Sequence, residues 1–274
     1  MDARMPQTQP PARGRTARAA RAGRTGRTKK NRSAALLGAA LILVWQGVSV
    51  SGVVPPYMLP GPVQIVLAAV KDFPILMTHL LQTLKEAAAG LGLALLVSFI
   101  LAVCMDGCRV FKEAVTPFLT LTQTMPVIAL APLLVLWMGY GAAPKIALVF
   151  LTCFFPLTIG LLGAFAQADE DELKLLKSMG ASRPQLYRYI KLPQSLPAFF
   201  SALRVSASYS IIGAVISEWL GGEAGLGVYM IRVRKSYSFD RMFAAIALVS
   251  ALSLVLIKIV ELIERAATPW RSHE

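Results

Sequence analysis

Six stretches of this chain are apolar for long enough to cross a lipid bilayer, and nothing else in the sequence limits the fold as strongly. A crossing helix needs about 20 mostly apolar residues. The candidates are residues 34–54, 80–105, 114–138, 143–166, 198–220 and 242–263. Inside hydrocarbon no water can satisfy backbone N–H and C=O groups, so each stretch must close its hydrogen bonds within itself as an α-helix. The expected fold class is an all-α membrane protein with six transmembrane helices. Composition agrees, with 55% of residues hydrophobic and 16% charged.

The connecting segments carry the punctuation. Pro55, Pro56, Pro60 and Pro62 break the chain after the first span, and a short amphipathic stretch is expected at 63–70. The third span holds Pro117, Pro126 and Pro132, and Pro156 marks a kink in the fourth. Gly139, Tyr140 and Gly141 form a turn, and residues 221–240 read as a glycine- and charge-bearing loop.

Charge gives orientation. Of the net +13, residues 1–32 supply +9, with ten Lys or Arg against Asp2 alone. This arm, residues 1–33, has no aromatic residue and no apolar run, so it is expected to stay a disordered cytoplasmic arm beside anionic lipid. The basicity is therefore a tail property and not a nucleic-acid footprint. With the N-terminus inside, segments 1–33, 106–113, 167–197 and the C-terminal tail carry nineteen Lys or Arg, against seven on external segments. That balance favours a multi-pass protein of the bacterial inner membrane with both termini cytoplasmic. The external cluster Arg232, Arg234, Lys235 and Arg241 runs against it. The domain reading is a membrane domain at 34–265, containing the polar segment 167–197, and a cytoplasmic tail at 266–274.

Several chemistries find no residues. Cys104, Cys108 and Cys153 form no CxxC or Cys/His cluster, and His79 and His273 are too few and too distant for a metal or catalytic constellation. No GxxxxGK[ST] loop is present to cradle a nucleotide. The chain is thus expected to have no catalytic residues, no metal site and no cofactor of its own. A proton-coupled secondary transporter would show paired intramembrane ionisable groups and repeats, and neither is clear here.

The informative segment is 167–197. Acids from Asp169 to Glu172 suit a helix N-terminus and later bases suit its end. Gly180 then turns the chain, and a second amphipathic stretch at 185–191 ends before Pro193. The expectation is a helix–turn–helix knob lying on the cytoplasmic side. Gly180, followed after nine residues by Ile190, Leu192 and Pro193, resembles the EAA-loop signature of binding-protein-dependent ABC importer permeases; Gly180, Ala181, Ser182 and Arg183 are also typical of them. One departure is plain: Lys174, Leu175 and Leu176 stand where that signature has Glu-Ala-Ala, and Glu172 supplies an acid two residues earlier. The resemblance runs from about Pro56 to Trp270, through Gln123 to Pro126, Gly139 to Gly141, Phe154 to Pro156, Glu218 to Gly221 and Gly225 to Gly227. It is closest to the nitrate/taurine/sulfonate class and, within it, to the branch for hydroxymethylpyrimidine precursors of thiamine.

The resemblance implies a type I ABC importer permease fold (MetI-like) and a set of partners: a cytoplasmic ATPase dimer that holds the ATP, an external or lipid-anchored substrate-binding protein, and a second permease copy. It implies that the knob couples to the ATPase through Glu172, Leu175, Leu176, Met179, Gly180, Ala181, Ile190, Leu192 and Pro193. Candidate pathway residues are Gln123, Thr124, Met125 and Pro126 at the proline break, and Ser217, Glu218 and Trp219 near the outer end of the fifth span. Arg232, Arg234 and Lys235 are the candidate contact for the binding protein. Taurine, sulfonates, nitrate and riboflavin stay open as substrates.

Overall fold

A computed structural model describes residues 36–55 and 57–269. The basic arm and Trp270 lie outside them. The described residues form helices joined by turns, with no strand among them.

The chain divides into two compact units at Gln64. In the first, α1 (Leu36–Val50) is followed by a turn that folds back on it. Ser49 Oγ donates to the Leu59 carbonyl at 3.1 Å, and the Val63 N–H donates to Gln46 Oε1 at 3.3 Å. A Cβ at Gly61 would lie 2.9 Å from Gln46 Oε1, so the turn packs closely on α1 there. The helix α2 (Pro62–Lys71) starts with proline in its first turn, where the missing N–H is harmless.

The second unit is built on three long helices: α3 (Phe73–Gly107), α6 (Ala142–Ala166) and α9 (Leu192–Leu220). Gly90, Ala94, Ser98 and Ala102 recur every four residues on α3, and all are buried. This small-residue stripe lets backbones approach closely, the usual route to helix association where apolar surface alone gives no driving force. A Cβ on Gly90 would lie 2.5 Å from Val149, and one on Gly160 would lie 2.3 Å from Ala202 Cβ. Buried hydroxyls add directed contacts, such as Ser98 Oγ donating to the Phe154 carbonyl at 3.0 Å. The outward faces of α3 and α11 (Phe239–Ala267) are left apolar and exposed, as at Leu96, Ile100, Leu254 and Leu262, which suits contact with lipid.

Four helical stretches are long and apolar enough to cross a bilayer: α3, α6, residues Arg183–Leu220 and α11. Three expectations change. The third span is not one helix: α4 (Arg109–Thr124) and α5 (Val127–Met138) meet at a 97° bend, so the spanning stretches number at most five among the described residues. Pro126 disfavours a helical Met125, which adopts φ −74° and ψ 128°. The first span shows 15 described helical residues, and its start lies outside them. The segment 221–240 is no loop: it contains α10 (Leu226–Lys235), whose residues 226–230 are buried.

Candidate functional site

The knob is assembled as its residues require. Helix α7 (Glu170–Ser178) starts at Asp169, whose Oδ1 accepts from the N–H groups of Asp171 and Glu172 at 2.8 and 3.2 Å. It stops at Gly180, which takes φ +84°. The Gly180 N–H donates to the Lys177 carbonyl and the Ala181 N–H to the Leu176 carbonyl, both at 3.0 Å, closing a Schellman turn. Ser182 then opens α8 (Arg183–Leu186), its N–H donating to Gln185 Oε1 at 2.7 Å. A π-helical turn at Tyr187–Lys191 runs directly into α9. Pro193 has no N–H for the carbonyl four residues back, and the wider turn absorbs that defect, with the Leu192 N–H reaching the Tyr187 carbonyl. The knob is thus continuous with α9 and not a separate loop.

Two side-chain contacts tie it down. Gln194 donates from Nε2 to Glu172 at 2.8 Å and accepts the Asp169 N–H at 3.0 Å, clasping α7 to α9. Asp106, at the end of α3, accepts from the Tyr187 hydroxyl and pairs with Lys191. In the sequence Asp106 only opens the cytoplasmic segment 106–113; no local pattern links it to residues more than eighty positions away. The coupling candidates separate into two groups. Leu175 and Met179, one turn apart, are 60% and 77% exposed, while Leu176 and Ala181 are half-buried. Ile190 is buried and Leu192 packs in the core beside Met105 and Phe165, so these two hold the knob and do not face a partner. Glu172 is occupied within the chain by Gln194.

Gln123 lines a cavity of about 560 Å³ between the α4–α5 break, α6 and α9, with Thr152, Phe155 and Tyr209. Thr124, Met125 and Pro126 are exposed at the break itself. The structure does not bring Ser217, Glu218 and Trp219 to this cavity.

They belong to a clasp at the opposite end of the bundle, where Thr83 lies about 35 Å along α3 from Asp106 at 1.5 Å per residue. Glu218 is 1% exposed. Its carboxylate accepts from Thr83 Oγ1 at 2.7 Å and from the Gly227 N–H at 2.6 Å, in the first turn of α10. The Leu226 N–H donates to Thr83 Oγ1 and the Gly225 N–H to His79 Nδ1. A Cβ on Gly225, at φ +129°, would overlap the Glu218 carboxylate at 2.1 Å. The stretch from Glu218 to Gly227 is therefore one device that anchors α10 on α3 and α9. The Tyr229 hydroxyl donates to Asp72 at 2.7 Å, and burial together with that carboxylate raises the phenol's pKa above its ordinary value. Ser217 Oγ stays with its own helix at the Ala214 carbonyl, and Trp219 is half-exposed. Arg232, Arg234 and Lys235 are all exposed on α10, with Arg232 donating to the Glu223 carbonyl at 2.7 Å.

Long apolar helices and a capped helical knob at one end define a membrane-embedded helical bundle. Residues 88–269 match the binding-protein-dependent transport system inner membrane component family, and the chain belongs to that family. It is 33% identical to the formylaminopyrimidine transport permease ThiX of Halalkalibacterium halodurans, over 85% of this chain and 94% of that one. A probable ABC transporter permease of Haemophilus influenzae is 36% identical over 81% and 90%, and the riboflavin transport permease RibX of Chloroflexus aurantiacus is 32% identical over 85% and 87%. The solved structure of an amino acid ABC transporter superposes with TM-score 0.61 at 18% identity, over 73% of this chain and 97% of that one, and the MetNI methionine ABC transporter with 0.59 at 18%, over 72% and 95%. The fold is that of an ABC importer permease. The chain is accordingly a multi-pass inner-membrane permease subunit that works with an ATPase and a substrate-binding protein.

Proposed function

We propose that this permease imports a pyrimidine precursor of thiamine. The observation that carries the reading is the 33% identity, nearly end to end, with a formylaminopyrimidine permease. The riboflavin permease at 32% identity supports a second reading.

The bundle would sit with its knob in the cytoplasm, as the charge balance asks. Leu175 and Met179 form the apolar face that enters a groove of the ATPase, and ATP bound there drives the cycle. Because the knob continues α9 without a hinge, movement of the ATPase would be transmitted along that helix toward the opposite end. Two copies of the chain enclose the pathway, with Gln123 and the cavity beside it facing the passage. Arg232, Arg234 and Lys235 meet the binding protein outside.

The test is uptake into proteoliposomes holding the permease, its ATPase and its binding protein. ATP-dependent uptake of labelled hydroxymethyl or formylamino aminopyrimidine is expected, with taurine and nitrate excluded. Uptake of riboflavin in preference to either pyrimidine would transfer the assignment.

A further inference from the structure

At the clasp end of the bundle a cleft of about 620 Å³ opens between the turn at 139–142 and the loop at 221–224. Its floor is Gln82 and Glu86 of α3 and Lys145 of α6; its walls include Tyr140, Gly222 and Ala224. Glu86 and Lys145 form an ion pair at 2.8 Å, with side chains 2% and 5% exposed. Glu86 Oε1 also accepts from Gln82 Nε2 at 2.7 Å. Glu86 Oε2 is buried and has no hydrogen-bond partner.

A purely structural pair would not leave this arrangement. A buried carboxylate oxygen without a donor is costly, and such atoms are nearly always satisfied. Lys145 makes its one hydrogen bond to Glu86, leaving two of an ammonium's three donors. A Cβ on Gly222 would lie 2.8 Å from Lys145 Nζ, and one on Gly221 would lie 2.9 Å from the Tyr140 ring. The loop is thus held tight against a floor that offers an acceptor beside a donor, with an aromatic ring at the wall.

We infer that this cleft is a binding subsite for the imported molecule, taking a small planar ligand that presents an N–H donor beside an acceptor, as an amino group beside a ring nitrogen does. The donor meets Glu86 Oε2, the acceptor meets Lys145, and the ring packs against Tyr140. The inference rests on the importer reading and deepens it: the site lies at the end where the binding protein would release its cargo, apart from the Gln123 cavity.

The experiment uses the assembled importer in proteoliposomes, with Cys104→Ser and Cys108→Ser to remove the exposed thiols and Ala224→Cys as reporter. A membrane-impermeant maleimide labels the reporter with and without hydroxymethyl aminopyrimidine. The ligand is expected to slow labelling, and the same pyrimidine lacking its amino group is not. Glu86→Gln removes the charged acceptor and should raise the half-protecting concentration about tenfold or more. Should that variant fail to assemble, Gln82→Leu, which removes the half-buried Nε2 donor that positions the Glu86 carboxylate, should weaken protection in the same direction. Equal labelling with and without the ligand, or protection that survives Glu86→Gln or Gln82→Leu unchanged, overturns the subsite. Uptake without protection leaves the substrate assignment standing and removes the subsite; protection without uptake does the reverse. Protection by taurine in place of the pyrimidine overturns the planar-ligand assignment.

Discussion

The two ends of the bundle use glycine and carboxylate for opposite purposes. At the knob, Gly180 takes φ +84° in open space, with nothing within 4 Å of where a Cβ would stand, and the residues around it are exposed. At the clasp, Gly225 takes φ +129° and a Cβ would overlap the Glu218 carboxylate. The knob keeps an apolar surface bare, which a chain folding alone has no reason to do. The clasp buries polar groups and satisfies them, which is what holds a short helix onto a membrane bundle. The knob's bare face is therefore built for a partner and the Glu218–Gly227 clasp for the chain itself, and substitutions at the two should separate binding from stability.

The largest expected effect is Gly225→Ala. Strained backbone adds about 1–3 kcal/mol, and displacing Glu218 strands buried donors at about 1–3 kcal/mol more. Little monodisperse protein should survive solubilisation and heating, read by size exclusion. Glu218→Ala follows, since Thr83 O–H and the Gly227 N–H lose their acceptor; about 2–4 kcal/mol of stability should go, seen as a lower thermal midpoint. A Glu218→Ala midpoint equal to wild type would show that the clasp is not what holds α10. Gln194→Ala should cost about 1 kcal/mol at most, because its bonds are solvent-exposed; faster hydrogen exchange confined to α7 is the readout. The double substitution Leu175→Glu with Met179→Glu should leave stability within about 0.5 kcal/mol and yet remove the co-purifying ATPase. If the ATPase stays bound, the knob's bare face is not its docking site and the contrast between the ends fails.

Much of the knob was legible in the sequence because its rules are local. Caps and a left-handed glycine act within a few residues, so Asp169 and Gly180 could be read in order; the second stretch, expected to end before Pro193, does not end there, because the π-helical turn at Tyr187–Lys191 carries it on into α9. The third span was misread for the opposite reason. Its hydrophobicity suggested one crossing, and which of Pro117, Pro126 and Pro132 breaks the helix depends on neighbours that re-satisfy the backbone. Glu218 was singled out as an acid close to hydrocarbon, but its partners, Thr83 and Gly227, lie on other helices and no spacing reveals them. Asp106 and Glu86 were missed likewise, since an isolated acid at a helix end or within a span looks the same whether it is paired or free.

The sequence by itself determined that this chain is a bundle of membrane-crossing helices with a capped helical knob, because hydropathy, capping and turn chemistry are properties of neighbouring residues. Only the tertiary structure decided which acids are clasped, which coupling residues face outward and which carboxylate oxygen is left without a donor. Those outcomes depend on helices α3, α6 and α9 meeting, and their contacts join residues from 53 to 135 positions apart.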